Sequence, residues 1–419
     1  MPDGHIYQLL NTLERKTSAE VYYDNFNKGR YATDASIYQM MPYGVLIPKS
    51  NKDLVETINY ARESKVPLLA RGGGTSQCGQ TVNNAIVIDN SKYLNKVLEF
   101  DKESMTCVVQ PGIVLDELNR FLKPYGLWFP VDVSTSSRAT IGGMTGNNSC
   151  GGRSIRYGMM RDNVINIEGI LFDGSSYNFG KIESNSLPFS NGVAPEIIKN
   201  LLKLANDNKK EILNKFPSIL RRVGGYNIDA LLPDAMASRP HGKFGDGINL
   251  SHLLVGSEGT LAYSSAITLK LSPLPSKKIM GVCHFPSFYE AMDAAQHIVT
   301  LNPVAVELVD DTMISLARRI DMFKPTVEAV VNGNPKSLLL VEFAEEQMDE
   351  NHQRLKKLHQ LMGDLGYSWD KTKKIGGVID VIDDELQSKV SEMRKSGLNI
   401  MMSMKDDAKP VSFIEDCAV

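Results

Sequence analysis

The sequence predicts an α+β protein of two domains, and three observations carry that prediction. Short β-rich runs alternate with amphipathic helical segments along most of the chain. Two stretches dense in glycine, "RGGGTSQCG" and "IGGMTGNNSCGG", interrupt the first half. A proline-punctuated exit, "LSPLPSKK", separates that half from a second series of strands and helices, which places a boundary at Ser272–Lys277.

The elements follow in order. A polar N-terminal segment, residues 1–40, reads as helical. "GVLIP" is a short strand, and apolar Leu54, Val55, Ile58 and Ala61 form a helical stripe between Lys52 and Ser64. "VPLLA" and "AIVID" are strands on either side of the first glycine loop. "KVLEFDKESMTCVVQPG" alternates as a hairpin around Asp101–Ser104. Residues 116–125 return to helix, with Leu115, Leu118, Phe121 and Leu122 on one side. Residues 126–158 form a long stretch rich in Gly, Ser, Thr and Asn that reads as irregular, and loops of that length inside a compact domain are usually functional. "INIEGILFDGSSYNF" is a second hairpin and residues 196–216 are helical. "LLVGSEGTLAYSSAITLKLSPLP" is a glycine turn followed by a β-rich run. Beyond the boundary the pattern is strand 278–284, helix 288–299, strand 303–309, helix 311–320, strand 337–343 and helix 350–365. That order suggests a ferredoxin-like α+β sandwich.

Composition excludes several classes. The 419 residues are 42% hydrophobic and 23% charged, with net charge −3 and pI about 6.2, so neither nucleic acid nor an anionic membrane surface is indicated. The N-terminus lacks the basic and apolar regions of a signal peptide, and no apolar run approaches the roughly 20 residues that span a bilayer. Five scattered cysteines without a C-x-x-C pair argue against zinc ribbons, iron–sulfur ligation and a disulfide framework. A reducing, cytoplasmic compartment fits best.

The glycine loops carry the chemistry. Glycine admits positive φ and lets a ligand rest against the backbone, and successive amides form a nest for anions, most often phosphate. The first loop runs into a strand rather than a helix, so it is not a Rossmann G-x-G-x-x-G, and it lacks the Lys-Ser/Thr of a P-loop. Taken alone it reads equally well as a tight surface turn. The second loop adds Gly142, Gly143, Gly146, Gly151 and Gly152 among Thr145, Asn147, Asn148 and Ser149. Two nests with hydroxyl and amide donors but few cations suit a pyrophosphate held mainly by backbone, as in a dinucleotide cofactor bound without a Rossmann unit.

The succession "RGGGTS", "VVQPGIVLDELNRFL", "FPVD…IGGMTGNNSCGGRSIRYG" and "GSEGTL" resembles the PCMH-type FAD-binding domain of the vanillyl-alcohol oxidase superfamily. Within it the chain looks like the D-2-hydroxyacid dehydrogenases, a group that includes D-lactate dehydrogenase, the glycolate oxidase flavin subunit and D-2-hydroxyglutarate dehydrogenase. "RRVGGYNIDALL" and "PVSFIEDCAV" are similar to long bacterial D-2-hydroxyglutarate dehydrogenase-like flavoproteins that carry Fe–S domains further along. The resemblance implies an FAD-binding domain of two subdomains over residues 41–275 and a substrate (cap) domain over 276–419. It implies that Arg71, Gly72, Gly73, Gly74, Thr75 and Ser76 hold the FAD pyrophosphate. Pro130, Gly142, Gly143, Asn147 and Ser149 would lie near pyrophosphate and flavin, and Gly256, Ser257, Glu258, Gly259 and Thr260 would form the later FAD-contacting turn. Thr75 stands where some relatives tether flavin through histidine, so FAD is expected to be non-covalent. Cys78 and Cys150 read as small packed residues rather than second tethers.

The implied reaction is hydride transfer from C2 of a D-2-hydroxy acid to flavin, the cofactor supplying the electronics. Arg394 in "SEMRKSG" matches the family arginine that grips the substrate carboxylate, a task suited to a planar fork. It reads otherwise as a solvated helix arginine. The family's metal-binding and proton-abstracting "HGH"-type motif is absent from the 419 residues, so no metal ligand is assigned. His241 and His252 read as parts of a loop insertion, and Met401, Met402 and Met404 as core or cavity lining. The cap domain is therefore expected to lack its C-terminal part, with Fe–S modules or another electron acceptor on the full-length protein or another subunit. A non-catalytic flavin-binding subunit, or a flavoprotein oxidising aryl or other alcohols, are the alternatives. Arg221, Arg222, Lys405 and Lys409 are the candidate cations for a second, distal carboxylate.

Overall fold

The computed structural model describes residues 3–182, 193–217, 219, 221–232, 248–369 and 374–397. The chain divides into two compact units. Among the described residues the second takes Gly152–Arg156 and those from Leu274 to Gly397, and the first takes the rest.

In the first unit, a four-stranded sheet runs in the order Glu20–Tyr22, Gly44–Ile47, Ile86–Asp89, Leu68–Arg71. The last three strands are parallel, and Glu20–Tyr22 adds an antiparallel edge. The two inner strands are buried at every position, which explains why "GVLI" and "IVID" are unbroken apolar runs rather than alternating ones. Helix Asn51–Ser64 begins with a capping box in which Ser50 and Asp53 satisfy each other's backbone amides. Its Leu54 and Ile58 join Leu9, Leu10 and Leu13 of helix Asp3–Lys16 over Leu46, Ile86 and Ile88. The N-terminal segment thus holds more than helix, since it also supplies the edge strand.

A five-stranded antiparallel sheet forms the rest of that unit, ordered Val97–Asp101, Thr106–Val109, Tyr263–Lys270, Val164–Ile170, Ser176–Phe179. Its inner face packs Val109, Ile167, Ile267 and Leu269 against Leu115, Leu118 and Leu122 of helix Leu115–Leu122, and against Ile141 and Met144. The last two residues correct the sequence reading of 126–158 as irregular. "IGGMTGN" is a helix, Ile141–Asn147, although three of its seven residues are glycines. Glycine costs up to about 1 kcal/mol per helical position relative to alanine. Burial of Ile141, Met144 and Thr145 and the Thr140 N-cap offset that cost.

The second unit is built on a sheet ordered Ala305–Asp310, Ser337–Phe343, Ile279–Phe285, Gly377–Val381, antiparallel throughout. Numbered by sequence this is 2-3-1-4, the split βαβ arrangement of ferredoxin-like folds. Cys283, Phe285, Val341 and Phe343 face helices Phe288–Ile298 and Met348–Asp364. Met280, Val282, Leu338 and Leu340 face helices Asp311–Ala317, Lys324–Val330 and Asp384–Lys395. With both faces covered, the two central strands are buried at every residue. Among the described residues no helix is long and apolar enough to cross a membrane.

Candidate functional site

The first unit brings the three glycine-rich segments together. A Cβ on Gly72 would sit 2.0 Å from Thr140 Oγ1, and one on Gly73 would sit 2.2 Å from the Arg138 carbonyl oxygen. These two glycines are therefore required by the second loop, which lies directly against the first. On the far side of helix Ile141–Asn147 the turn 256–260 docks onto the last helical carbonyls. Gly256 N donates to Thr145 O at 3.0 Å and Glu258 N to Gly146 O at 2.8 Å. Asn147 Nδ2 donates to Glu258 Oε1 at 3.0 Å, and Ser149 Oγ donates to Asn147 Oδ1 at 3.0 Å. Gly256, Glu258 and Gly259 all have positive φ, of 83°, 51° and 70°. For Glu258 that is a strained conformation, held by the docking of its own amide.

The amides of the two loops are used differently. In the second loop Ile141 N donates to Ile113 O, Gly142 N to Pro111 O and Gly143 N to Thr140 Oγ1. The start of that helix is thus committed internally. In the first loop, no backbone hydrogen bond among the described residues takes the N–H of Gly73, Gly74 or Thr75 as donor. The Arg71 side chain turns away from such a role. Its guanidinium donates to the carbonyls of Thr33 at 2.8 Å, Thr81 at 3.0 Å and Tyr31 at 3.2 Å.

Three observations test whether these residues suit an FAD. The amides of Gly73–Thr75 donate no backbone hydrogen bond among the described residues, as expected of an anion nest. A Cβ on Gly143 would meet only the Thr140 hydroxyl at 3.3 Å, and one on Gly259 would meet nothing within 4 Å, so both glycines face open space. The Nδ2 of Asn148 meets no acceptor among the described residues, but the residue is fully buried and opens onto no ligand space. Pro130 is buried beside Phe129 and Val131, and Ser257 is buried, while Glu258, Gly259 and Thr260 form the exposed lip. Cys150 is buried and Cys78 half-buried.

A buried polar cluster that sequence reasoning missed supports the turn. Asn227 Nδ2 donates to Val255 O at 2.8 Å and His252 O at 3.2 Å, and its Oδ1 accepts from Arg161 Nη1 at 3.0 Å. Arg161 N donates to Asn148 Oδ1 at 3.0 Å. Arg222 pairs with Asp229 at 2.6 Å, both buried, and so is occupied rather than presented to a distal substrate carboxylate. The exposed Tyr226 hydroxyl lies 2.8 Å from Thr260 Oγ1. The signal was present in "VGGYNIDALL", whose polar residues follow two glycines and precede an apolar run. His252 is a buried residue of the helical turn Ser251–Leu254. His241, Met401, Met402, Met404, Lys405 and Lys409 lie outside the described residues.

In the second unit Arg394 stands in the last turn of helix Asp384–Lys395, where the helix dipole favours a cation. It is one-third exposed and paired with the carboxylate of Glu307. That carboxylate also lies against Gly152, where a Cβ would meet Glu307 Oε1 at 1.6 Å. Arg153 makes a forked contact with buried Glu342 at 3.0 Å to each oxygen, and Arg156 pairs with Glu345 at 2.7 Å. These two arginines of "GGRSIRYG" had drawn no functional reading from the sequence.

Comparison with known proteins matches both units to described domains. Residues 42–180 match the FAD binding domain, and residues 274–419 match the C-terminal domain of FAD linked oxidases. The chain carries both domains of the FAD-linked oxidases. That agrees with the resemblance to the vanillyl-alcohol oxidase superfamily drawn from the motifs, and FAD is the cofactor of this first domain. A D-2-hydroxyglutarate dehydrogenase of Pantoea ananatis is 31% identical over 401 residues, 93% of this chain and 38% of that protein. The glycolate oxidase subunit GlcD of Bacillus subtilis is 27% identical over 412 residues, 95% of this chain and 69% of that one. The chain thus spans 38% of the length of the D-2-hydroxyglutarate dehydrogenases it matches. An alkyldihydroxyacetonephosphate synthase superposes with a TM-score of 0.65 at 16% identity, over 94% of this chain and 64% of that one, a likeness of fold.

Proposed function

We propose that this chain is the flavin-bearing part of a cytoplasmic dehydrogenase that oxidises a D-2-hydroxy acid, of the 2-hydroxyglutarate or lactate type, to the 2-oxo acid. The observation that carries the reading is the convergence of three sequence-distant glycine segments in a chain matched over 93% of its length by D-2-hydroxyglutarate dehydrogenases, the Gly73–Thr75 amides donating no backbone hydrogen bond among the described residues. In this reading the Gly73–Thr75 amides hold the pyrophosphate, and Gly143 and Gly259 admit the cofactor to the backbone. Pro130, Asn147, Ser149 and the 256–260 turn shape the wall. FAD when bound supplies the hydride acceptor.

Arg394 binds the substrate carboxylate through its planar fork. Its pairing with Glu307 keeps the guanidinium ordered and neutralised until a substrate anion arrives. With the substrate carboxylate so held, the C2 hydroxyl is oriented by one fixed end of the molecule, which is the positioning part of catalysis. Electrons leave for an acceptor such as an Fe–S module on the same or another polypeptide. A subunit role within a heteromeric oxidase is favoured as the second reading by the GlcD match, a protein named as a subunit and covered over 69% of its length.

The test is spectroscopic. The purified chain should show flavin absorption released on denaturation, and D-2-hydroxyglutarate or D-lactate added without air should bleach it. Flavin that no D-2-hydroxy acid bleaches would favour the subunit reading. A colourless, folded protein that takes up no FAD would overturn both.

A further inference from the structure

Arg71 opens the first glycine loop, yet its guanidinium is committed to the carbonyls of Tyr31, Thr33 and Thr81. It also lies over the Tyr31 ring, 5.4 Å from the centroid. Two of the three residues it grasps, Tyr31 and Thr33, belong to a strap, 31–36, which precedes the matched FAD binding domain at 42–180. The strap is tied to the loop at further points. Ala35 N donates to Gly74 O at 3.1 Å. Asp34 Oδ2 accepts from Thr81 Oγ1 at 2.9 Å, and its Oδ1 accepts from Ser36 N at 2.8 Å. The Tyr31 hydroxyl donates to Asp89 Oδ2 at 2.7 Å, on the strand that pairs with the one leading into the loop. Gly74, at φ 64°, has no room for a Cβ because Arg71 Nη2 would lie 2.7 Å away.

We propose that the strap 31–36 is an integral wall of the cofactor cradle, and that Arg71 is a positioning residue which clips it to the glycine loop and does not pair with the phosphates. The grip on the pyrophosphate then comes from the neutral amides of Gly73, Gly74 and Thr75, whose directions are set by the clip. This rests on the reading that those amides hold the pyrophosphate. Five donors in a fixed fork suit a guanidinium to several carbonyls at once, whereas an ammonium is a point charge. Burial lowers the pKa of Arg71, against the opposing charges of Asp34 and Asp89.

FAD titrations of the protein freed of flavin decide the matter, read by flavin fluorescence at low and at 0.3 M salt, with unfolding temperatures recorded beside them. Asp34→Ala removes a negative charge near an anionic ligand, so charge alone predicts tighter binding. The clip predicts weakening of about tenfold, the effect of losing charge-assisted hydrogen bonds. Arg71→Lys should weaken FAD binding as much as Arg71→Met, and both should keep the wild-type salt dependence. Rescue by lysine, or a flatter salt dependence in Arg71→Met, would make Arg71 a phosphate ligand and overturn the proposal. If the Arg71 variants fail to unfold cooperatively, Asp34→Ala decides alone. Gly73→Ala separates the two readings, because it pushes Arg138 out of place. If it weakens FAD binding while Asp34→Ala does not, the strap proposal fails by itself. If both leave binding unchanged, the loop is not the pyrophosphate site and the cradle reading falls with it.

Discussion

Asn227→Ala is the substitution whose consequences the structure sets most tightly. The side chain is 2% exposed and holds two short hydrogen bonds, to Val255 O at 2.8 Å and from Arg161 Nη1 at 3.0 Å, with a longer one to His252 O at 3.2 Å. Truncation leaves the Val255 carbonyl and one Arg161 donor buried without these partners. Each such loss costs about 1–3 kcal/mol, so the variant should lose about 3 kcal/mol in all. For a unit of this size 1 kcal/mol moves the midpoint by roughly 2–4 °C, and the unfolding temperature should fall by roughly 6–12 °C. The lost bond at Val255 also frees the residue before Gly256, so FAD affinity should fall with it. Thermal unfolding followed by circular dichroism, with FAD titration of the same samples, measures both. A midpoint within about 2 °C of wild type would refute the claim that this cluster supports the turn 256–260.

Other expectations follow from single features. Gly143→Ala adds a Cβ that meets only the Thr140 hydroxyl, so flavin-free stability should hold or rise by up to about 1 kcal/mol from helix propensity, while FAD affinity falls about tenfold. Unchanged FAD affinity would show that Gly143 does not face the cofactor. Gly72→Ala should do the opposite, unfolding the protein several degrees earlier even without flavin, because its Cβ meets Thr140 Oγ1 at 2.0 Å. His284 is buried and neutral, accepting from Asn332 N at 3.1 Å, and burial lowers its pKa to about 4. The unfolded chain, titrating near 6.5, binds the proton more readily. This contribution is therefore fully present above about pH 6.5 and lost progressively towards pH 4, by about 3 kcal/mol. Urea midpoints across that window should flatten in His284→Gln, and an unaltered slope would assign the acid sensitivity elsewhere. Arg394→Met should keep FAD but abolish anaerobic bleaching by D-2-hydroxy acids, and bleaching at the wild-type rate would remove Arg394 from the site.

Much of this was legible in the sequence for reasons of period and spacing. The helical stripe of Leu54 and Ile58, the apolar runs at 44–47 and 86–89, and the strand–helix order after Leu274 are local patterns that burial enforces directly. The glycine segments suggested an anion nest because glycine admits positive φ and leaves its backbone amides approachable. The helix Ile141–Asn147 was not legible, since its propensity is poor and its stability comes from Ile141, Met144 and the Thr140 cap. Nor were the carbonyl partners of Arg71 (Tyr31, Thr33 and Thr81), which lie up to forty positions away in the chain.

By itself the sequence determined the α+β class and the order of elements, because those rest on hydrophobic period, while FAD was implied by the resemblance of its glycine motifs to a known family. Only the tertiary structure decided what each glycine is for. Gly72 and Gly73 make way for Arg138 and Thr140, whereas Gly143 and Gly259 open onto space. It also decided which polar groups bond within the protein, as with Arg71, Asn227 and the Arg222–Asp229 pair, and which loop amides donate no backbone hydrogen bond among the described residues. The physical reason is that hydrogen-bond satisfaction and steric clearance depend on contacts between residues far apart in the chain, such as Gly72 with Thr140 and Asn227 with Arg161, which no local pattern encodes.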